Sequence, residues 1–114
     1  MKLVIVVRKD LNMRKGKMSA QVGHACSSLV WKNGDKAEVR KWMASGQTKI
    51  VVGVADEDTL RSVWSRAARD GLWTTDVIDA GRTEFNGVPT LTCVAVGPAE
   101  DDRVDAITGE LPLL

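Results

Sequence analysis

The chain is short of several things that catalytic or secreted proteins commonly use. It has one histidine, His24, in 114 residues, so no second imidazole can pair with it. A Ser-His-Asp or Cys-His arrangement is not evident either, because Cys26 lies two positions from His24, roughly 200° around a helix, and cannot share its face. Only two cysteines occur, Cys26 and Cys93. They are far apart, without CxxC or Cys/His ligand spacing, which gives a zinc site no support and makes buried free thiols the expectation. No apolar run approaches the ~20 residues of a membrane span, and the opening KLVIVV closes on Arg8-Lys9-Asp10, so neither a span nor a secretory signal is expected and a cytoplasmic location follows. Gly16-Lys17 is followed by Met18 with no glycine at position 11, which excludes the nucleotide-triphosphate loop GxxxxGK[ST]. Repeats and low-complexity segments are lacking as well.

Net charge is also nearly absent, +1 from 16 basic and 15 acidic residues, but the total hides a polarity. Residues 1–49 hold eleven Lys and Arg against Asp10, Asp35 and Glu38, a balance of +8, whereas residues 50–114 hold five Arg against twelve acids, a balance of −7. If the first half folds to one surface, it presents a basic face suited to phosphates. Interleaving of the halves in a sheet would erase it.

What is present centres on Arg14 to Ala25, RKGKMSAQVGHA. Lys17, Gln21, His24 and Ser28 follow at spacings of four, three and four and line one polar stripe of a helix; Met18, Val22, Ala25 and Leu29 form an apolar stripe beside it. One helix can then dock and still present functional groups after a cationic loop, as a site for an anionic substrate requires. The same Arg14, Lys15 and Lys17 also read as a solvated charge cluster, and His24 as a structural histidine bracing the helix.

In chain order, Leu3 to Val7 reads as a strand buried on both faces. A helix from about Lys17 to Trp31 ends at Asn33-Gly34. A second runs from an Asp35 cap through Ser45, with Ala37 or Val39, Trp42 and Met43 on its apolar side. Lys49 to Val54 is a second strand, and Asp56 caps a helix through Arg69 that carries Leu60, Val63, Trp64 and Ala67. Thr74 to Ile78 is a third strand. The loop AGRTEFNG turns at Asn86-Gly87, Thr90 to Val96 is a fourth strand ending at Gly97-Pro98, and a short helix spans about Ala99 to Thr108. At this length the pattern predicts one domain, residues 1–114, of three-layer α/β/α architecture around a four-stranded mixed sheet with one antiparallel element. Ligands of open α/β sheets collect at strand C-terminal ends, where Asp79, Arg82 and Thr83 would project and Arg8 and Asp10 could join them; an ordinary Asx-type loop is the alternative.

VVRKDLNM, KGKMSAQVGHA, GQTKIVV, DAGRTE, VAVGPA and ITGELPLL occur in an order and spacing that resembles the type 2 peptidyl-tRNA hydrolases of archaea and eukaryotes, over essentially the whole chain. The resemblance implies hydrolysis of the ester between a peptide and the terminal ribose of tRNA, a compact α/β fold, a homodimer, and no metal or organic cofactor. Position by position it implies a catalytic set of Lys17, Gln21, Asp79, Thr83 and Thr92. Arg8, Arg14, Lys15, His24 and Arg82 are the accompanying candidates for substrate binding. Ser19, Glu84 and Pro112 stand where the family more often has alanine, glutamine and lysine. Ester hydrolysis needs a positioned water and a stabilised oxyanion, which these groups can supply without a covalent intermediate. A non-catalytic RNA-binding module and a protein-interaction domain of the same fold are the alternatives.

Overall fold

A computed structural model describes residues 1–82 and 84–114; Thr83, one of the candidate site residues, lies outside the described residues. Four strands, β1 (Lys2–Arg8), β2 (Lys49–Val54), β3 (Thr74–Asp79) and β4 (Thr90–Ala99), form one sheet in the order β2-β1-β4-β3. β1 pairs parallel with β2, whereas β4 runs antiparallel to both β1 and β3. The two interior strands are the two most continuous apolar runs, and every residue from Leu3 to Val7 and from Leu91 to Ala99 is buried.

Strand parity divides their side chains between two helical layers. Leu3, Ile5, Val7, Cys93 and Ala95 face α1 (Lys15–Asn33) and α2 (Ala37–Ala44), where Ala25, Leu29, Val39 and Trp42 pack on them. Val4, Val6, Val94 and Val96 face α3 (Glu57–Arg69) and α4 (Asp101–Thr108), meeting Leu60, Val63, Ala67, Val104 and Ile107. This is the expected three-layer arrangement around a mixed sheet. Asp56 caps α3 as expected, accepting from the Thr59 N–H at 2.9 Å. The outer edge of β2 is covered by the chain's last residues: Gly53 N–H donates to the Pro112 carbonyl at 2.9 Å and Leu114 N–H to that of Val51 at 3.1 Å. An unpaired edge row is thereby closed against other strands.

Several boundaries differ from expectation. α1 starts at Lys15, because Gly16 costs little in a first turn whose N–H groups have no intrahelical partner yet. α2 is capped by the backbone of Lys36, without a side-chain bond, and not by Asp35. Burial of Val39 and Trp42 sets its phase, leaving Ala37 and Met43 exposed, and a surface carboxylate is too weak to shift it. β4 continues through Gly97-Pro98 to Ala99, since the register shift opposite Lys2 and Val4 accommodates a residue with no N–H. α4 accordingly starts at Asp101. Among the described residues no helix is long and apolar enough to cross a membrane.

The cysteines also separate. Cys93 is fully buried, and burial pushes its thiol up to about 11; Cys26, expected to be buried, is only partly so. Native protein treated with iodoacetamide should therefore take up one label per chain, at Cys26, with Cys93 reacting only on unfolding. Peptide mapping checks this, and prompt labelling of Cys93 would contradict the packing described.

The charge halves interleave in the sheet, where β4 lies between β1 and β3, but one helical layer stays basic. α1 and α2 carry Lys15, Lys17, Lys32, Arg40 and Lys41 against Glu38 alone, while in α3 and α4 the acids Glu57, Asp58, Asp101, Asp102 and Asp105 are nearly balanced by Arg61, Arg66, Arg69 and Arg103.

Candidate active site

β1, β2 and β3 share one direction, so the C-terminal end of β3 lies at the sheet edge where α1 begins. There α1 supplies Lys17 and Gln21 one turn apart, β3 ends on Asp79, and β4 supplies Thr92. Lys17 Nζ donates to Asp79 Oδ1 at 2.7 Å, and Gln21 Nε2 approaches the same oxygen at 3.4 Å. The Gly81 N–H donates to Asp79 Oδ2 at 2.9 Å, the Asx-type turn that the loop sequence suggests. Behind them, the Thr92 hydroxyl donates to Gln21 Oε1 at 2.7 Å. Gln21 and Thr92 are 1% and 0% exposed. The Gln21 carboxamide is thus oriented from below, carbonyl to the hydroxyl and NH₂ to the carboxylate.

Asp79 is held below its ordinary carboxylate value, first by the Lys17 ammonium, then by the Gly81 amide and Gln21, with burial opposing. It is therefore ionised at neutral pH and a weak base. α1 has neither an acidic residue in its first turn nor a side-chain cap, so its first N–H groups and dipole add positive potential beside Lys17. Beside Asp79 an open groove of about 460 Å³ is lined by His24, Ser28, Asp76, Ile78, Asp79 and Arg82.

The loop after β3 folds back on itself. Gly81, at φ 78°, has no room for a side chain, since a Cβ there would lie 2.6 Å from the Val88 carbonyl oxygen. Its carbonyl accepts from the Gly87 N–H at 2.9 Å. Phe85 and Asn86 both have left-handed backbone, φ 62° and 52°, which costs of order 1–3 kcal/mol at a residue such as phenylalanine. The Phe85 ring centroid lies 5.6 Å from Lys17 Nζ. Nothing in the sequence signals this contact, which depends on the loop's path.

Of the other candidates, His24 and Arg82 join the groove, and both are exposed. His24 makes no side-chain hydrogen bond among the described residues, so it is not tied down as a bracing histidine would be. Arg14 is exposed at the N-cap of α1, and Lys15 lies on the opposite flank of that helix, in a second groove with Met18, Val22 and Leu114. Arg8 is not brought to the site. Its guanidinium pairs with Asp10 at 2.7 Å and Glu57 at 3.4 Å and donates to the Leu91 carbonyl at 3.1 Å. Val7 points toward α1, so its neighbour necessarily points toward α3. Among the described residues no group of three or more His, Cys, Asp or Glu side chains is placed to hold a metal.

Residues 1–114, the whole chain, match the family model described as peptidyl-tRNA hydrolase PTH2. The chain belongs to the PTH2 family. It is 46% identical to a protein from Metallosphaera sedula and 44% identical to one from Methanocaldococcus jannaschii, both named peptidyl-tRNA hydrolase, with 100% of each chain covered. A Halobacterium salinarum protein of the same name is 46% identical, with 99% of each chain covered. Among solved structures, a protein of unknown function from Agrobacterium tumefaciens superposes with a TM-score of 0.69 at 16% identity, over 99% of this chain and 96% of that one. That likeness concerns the fold alone. Within this PTH2 chain, two of the motif segments, KGKMSAQVGHA and DAGRTE, supply both partners of the Lys17–Asp79 ion pair.

Proposed function

We propose that this PTH2 chain hydrolyses the ester joining a peptide to the 3′ ribose of tRNA, by direct attack of water, with Lys17, Gln21, Asp79, Thr83 and Thr92 as its catalytic set. The observation that carries the mechanism is the Lys17–Asp79 pair, whose carboxylate lines the groove, braced from the core by Gln21 and Thr92. Asp79, a weak base with acceptor capacity left after Gly81, orients the water. Lys17, with N–H groups left after Asp79, stabilises the oxyanion that forms on the ester carbonyl. Collapse of the tetrahedral species breaks the bond to the ribose oxygen, which takes up one proton of the attacking water, while the other is lost to solvent as the peptide leaves as a carboxylate. Direct attack is favoured because two nucleophiles beside Gln21 are withdrawn: the Thr92 hydroxyl is buried and bonded to Gln21, and the Cys93 thiol is buried and raised.

His24 and Arg82 along the groove and Arg14 and Lys15 at the start of α1 are the groups we assign to the tRNA, while Arg8 serves the fold. The basic layer of α1 and α2 supports a polyanionic partner. Residues 1–114 act as a single domain in the cytoplasm, where peptidyl-tRNA arises. The homodimer is supported by the exposed apolar surface of α1 and α2, where Trp31 is 89% exposed and Met43 39%. Release of tRNA from an N-acylated peptidyl-tRNA, with unblocked aminoacyl-tRNA as the control, tests the activity. Tight binding of tRNA without turnover would favour the RNA-binding module instead.

The depressed Asp79 value also predicts a pH profile. A carboxylate whose folded value lies below its ordinary 3.8 contributes stability above that pH and loses it as pH falls through the lowered value. The required anion is therefore present throughout the neutral range, and kcat/KM should show no acid limb from Asp79 above about pH 4. A limb near pH 6 that vanished in Asp79→Asn would contradict the assignment.

A further inference from the structure

Phe85 is the chain's single phenylalanine, and its backbone conformation calls for a reason. The loop offers glycines nearby, yet an aromatic residue occupies a left-handed position, φ 62°, directly before Asn86 at φ 52° and Gly87 at φ 75°. Asparagine and glycine adopt that conformation readily; a bulky side chain does not. The turn is held by the Val88 N–H, which donates to the Phe85 carbonyl at 2.9 Å. Its effect is to set the half-buried ring 5.6 Å from the Lys17 ammonium, which also donates to Asp79 at 2.7 Å.

We propose that Phe85 is a positioning residue for the hydrolysis: its ring and the Asp79 carboxylate together fix the Lys17 ammonium, so that a remaining N–H points into the groove. The inference rests on the reading of Lys17 as the oxyanion-stabilising group. The negative face of the ring attracts the cation and displaces water that would otherwise compete for its N–H groups. Long lysine side chains lose rotamer freedom when they are fixed in this way, so a group that holds the ammonium before substrate arrives raises the rate without touching the substrate. The strained turn is thereby given a function that a strain-free glycine turn would lack.

Steady-state kcat and KM on N-acylated peptidyl-tRNA should be measured for Phe85→Leu, Phe85→Trp and Phe85→Gly, each also in a Lys17→Ala background, with melting temperatures for all. Leucine keeps apolar bulk without a quadrupole and should lower kcat about tenfold with KM unchanged, whereas tryptophan should stay within about threefold of wild type. Glycine relieves the left-handed backbone, so its melting temperature should hold while kcat falls as it does for leucine. In the Lys17→Ala background the Phe85 substitutions should add little further loss. A full effect persisting there, a change confined to KM, or wild-type kcat in Phe85→Leu would each overturn the proposal. If Lys17→Ala alone kept wild-type turnover, the reading of Lys17 would fail instead, which separates the two.

Discussion

Asp79→Asn is expected to lower turnover of peptidyl-tRNA by about 10²–10³-fold while the protein still folds, the magnitude seen when one preorganised polar group of a hydrolytic site is lost. The substitution keeps the volume and can keep the acceptor for the Gly81 N–H, so the loop has no reason to move. It removes the negative charge that holds Lys17 at 2.7 Å and orients the attacking water. Lys17→Ala should cost a similar factor, and the double variant little more than either single one, because groups that act as a unit are not additive. Loss in both single variants should appear in kcat, since neither group is assigned to ground-state binding. Single-turnover rates with saturating enzyme would check this. Wild-type rates in both would end the assignment of the site.

The second large effect lies underneath. Thr92→Val should destabilise the protein by about 1–3 kcal/mol, because Gln21 Oε1 is then buried without its 2.7 Å donor. Gln21→Leu should cost a comparable amount, leaving the Thr92 hydroxyl the Val77 carbonyl at 3.3 Å and the weak Cys93 sulfur acceptor at 3.9 Å, and should also lower kcat through the lost contact with Asp79. Combining the two replaces both polar partners by apolar groups of similar size, which is often nearly neutral. The double variant should therefore recover much of the melting temperature and none of the turnover. Recovery of both would make Gln21 and Thr92 a structural pair only; recovery of neither would mean that other contacts set the cost.

The stripe of Lys17, Gln21 and His24 was legible because helical spacing is local, and the interior strands were legible because continuous apolar runs bury on both faces. Asp79 could be placed at a strand end, but its pairing with Lys17 joins residues 62 positions apart. That contact arises only because β4 inserts between β1 and β3 and sets the end of β3 under α1. Arg8 shows the opposite case. It sits at a strand end on the correct edge, yet alternation along β1 sends it to the α3 side, where Glu57 and Asp10 occupy it. The alternation was visible in the sequence; which face α1 would cover was not. His24 shares the predicted stripe but reaches only the open groove, without a partner to fix it among the described residues. Phe85 left no trace at all, since a loop's path over a lysine has no periodicity to betray it.

The placement of β4 also bears on how the chain is made. Ile5 pairs with Ala95, so the central seam of the sheet joins a strand to one that leaves a ribosome long after it. Such remote pairings slow folding, because a long loop must close before any contact rewards it. Until then β1 has only β2 beside it, and its other edge is open to any passing strand. Closing that seam is also what brings Thr92 to Gln21. Sheet completion and assembly of the site are thus one event, and a nascent chain that stops short of β4 has neither a closed core nor an ordered Gln21.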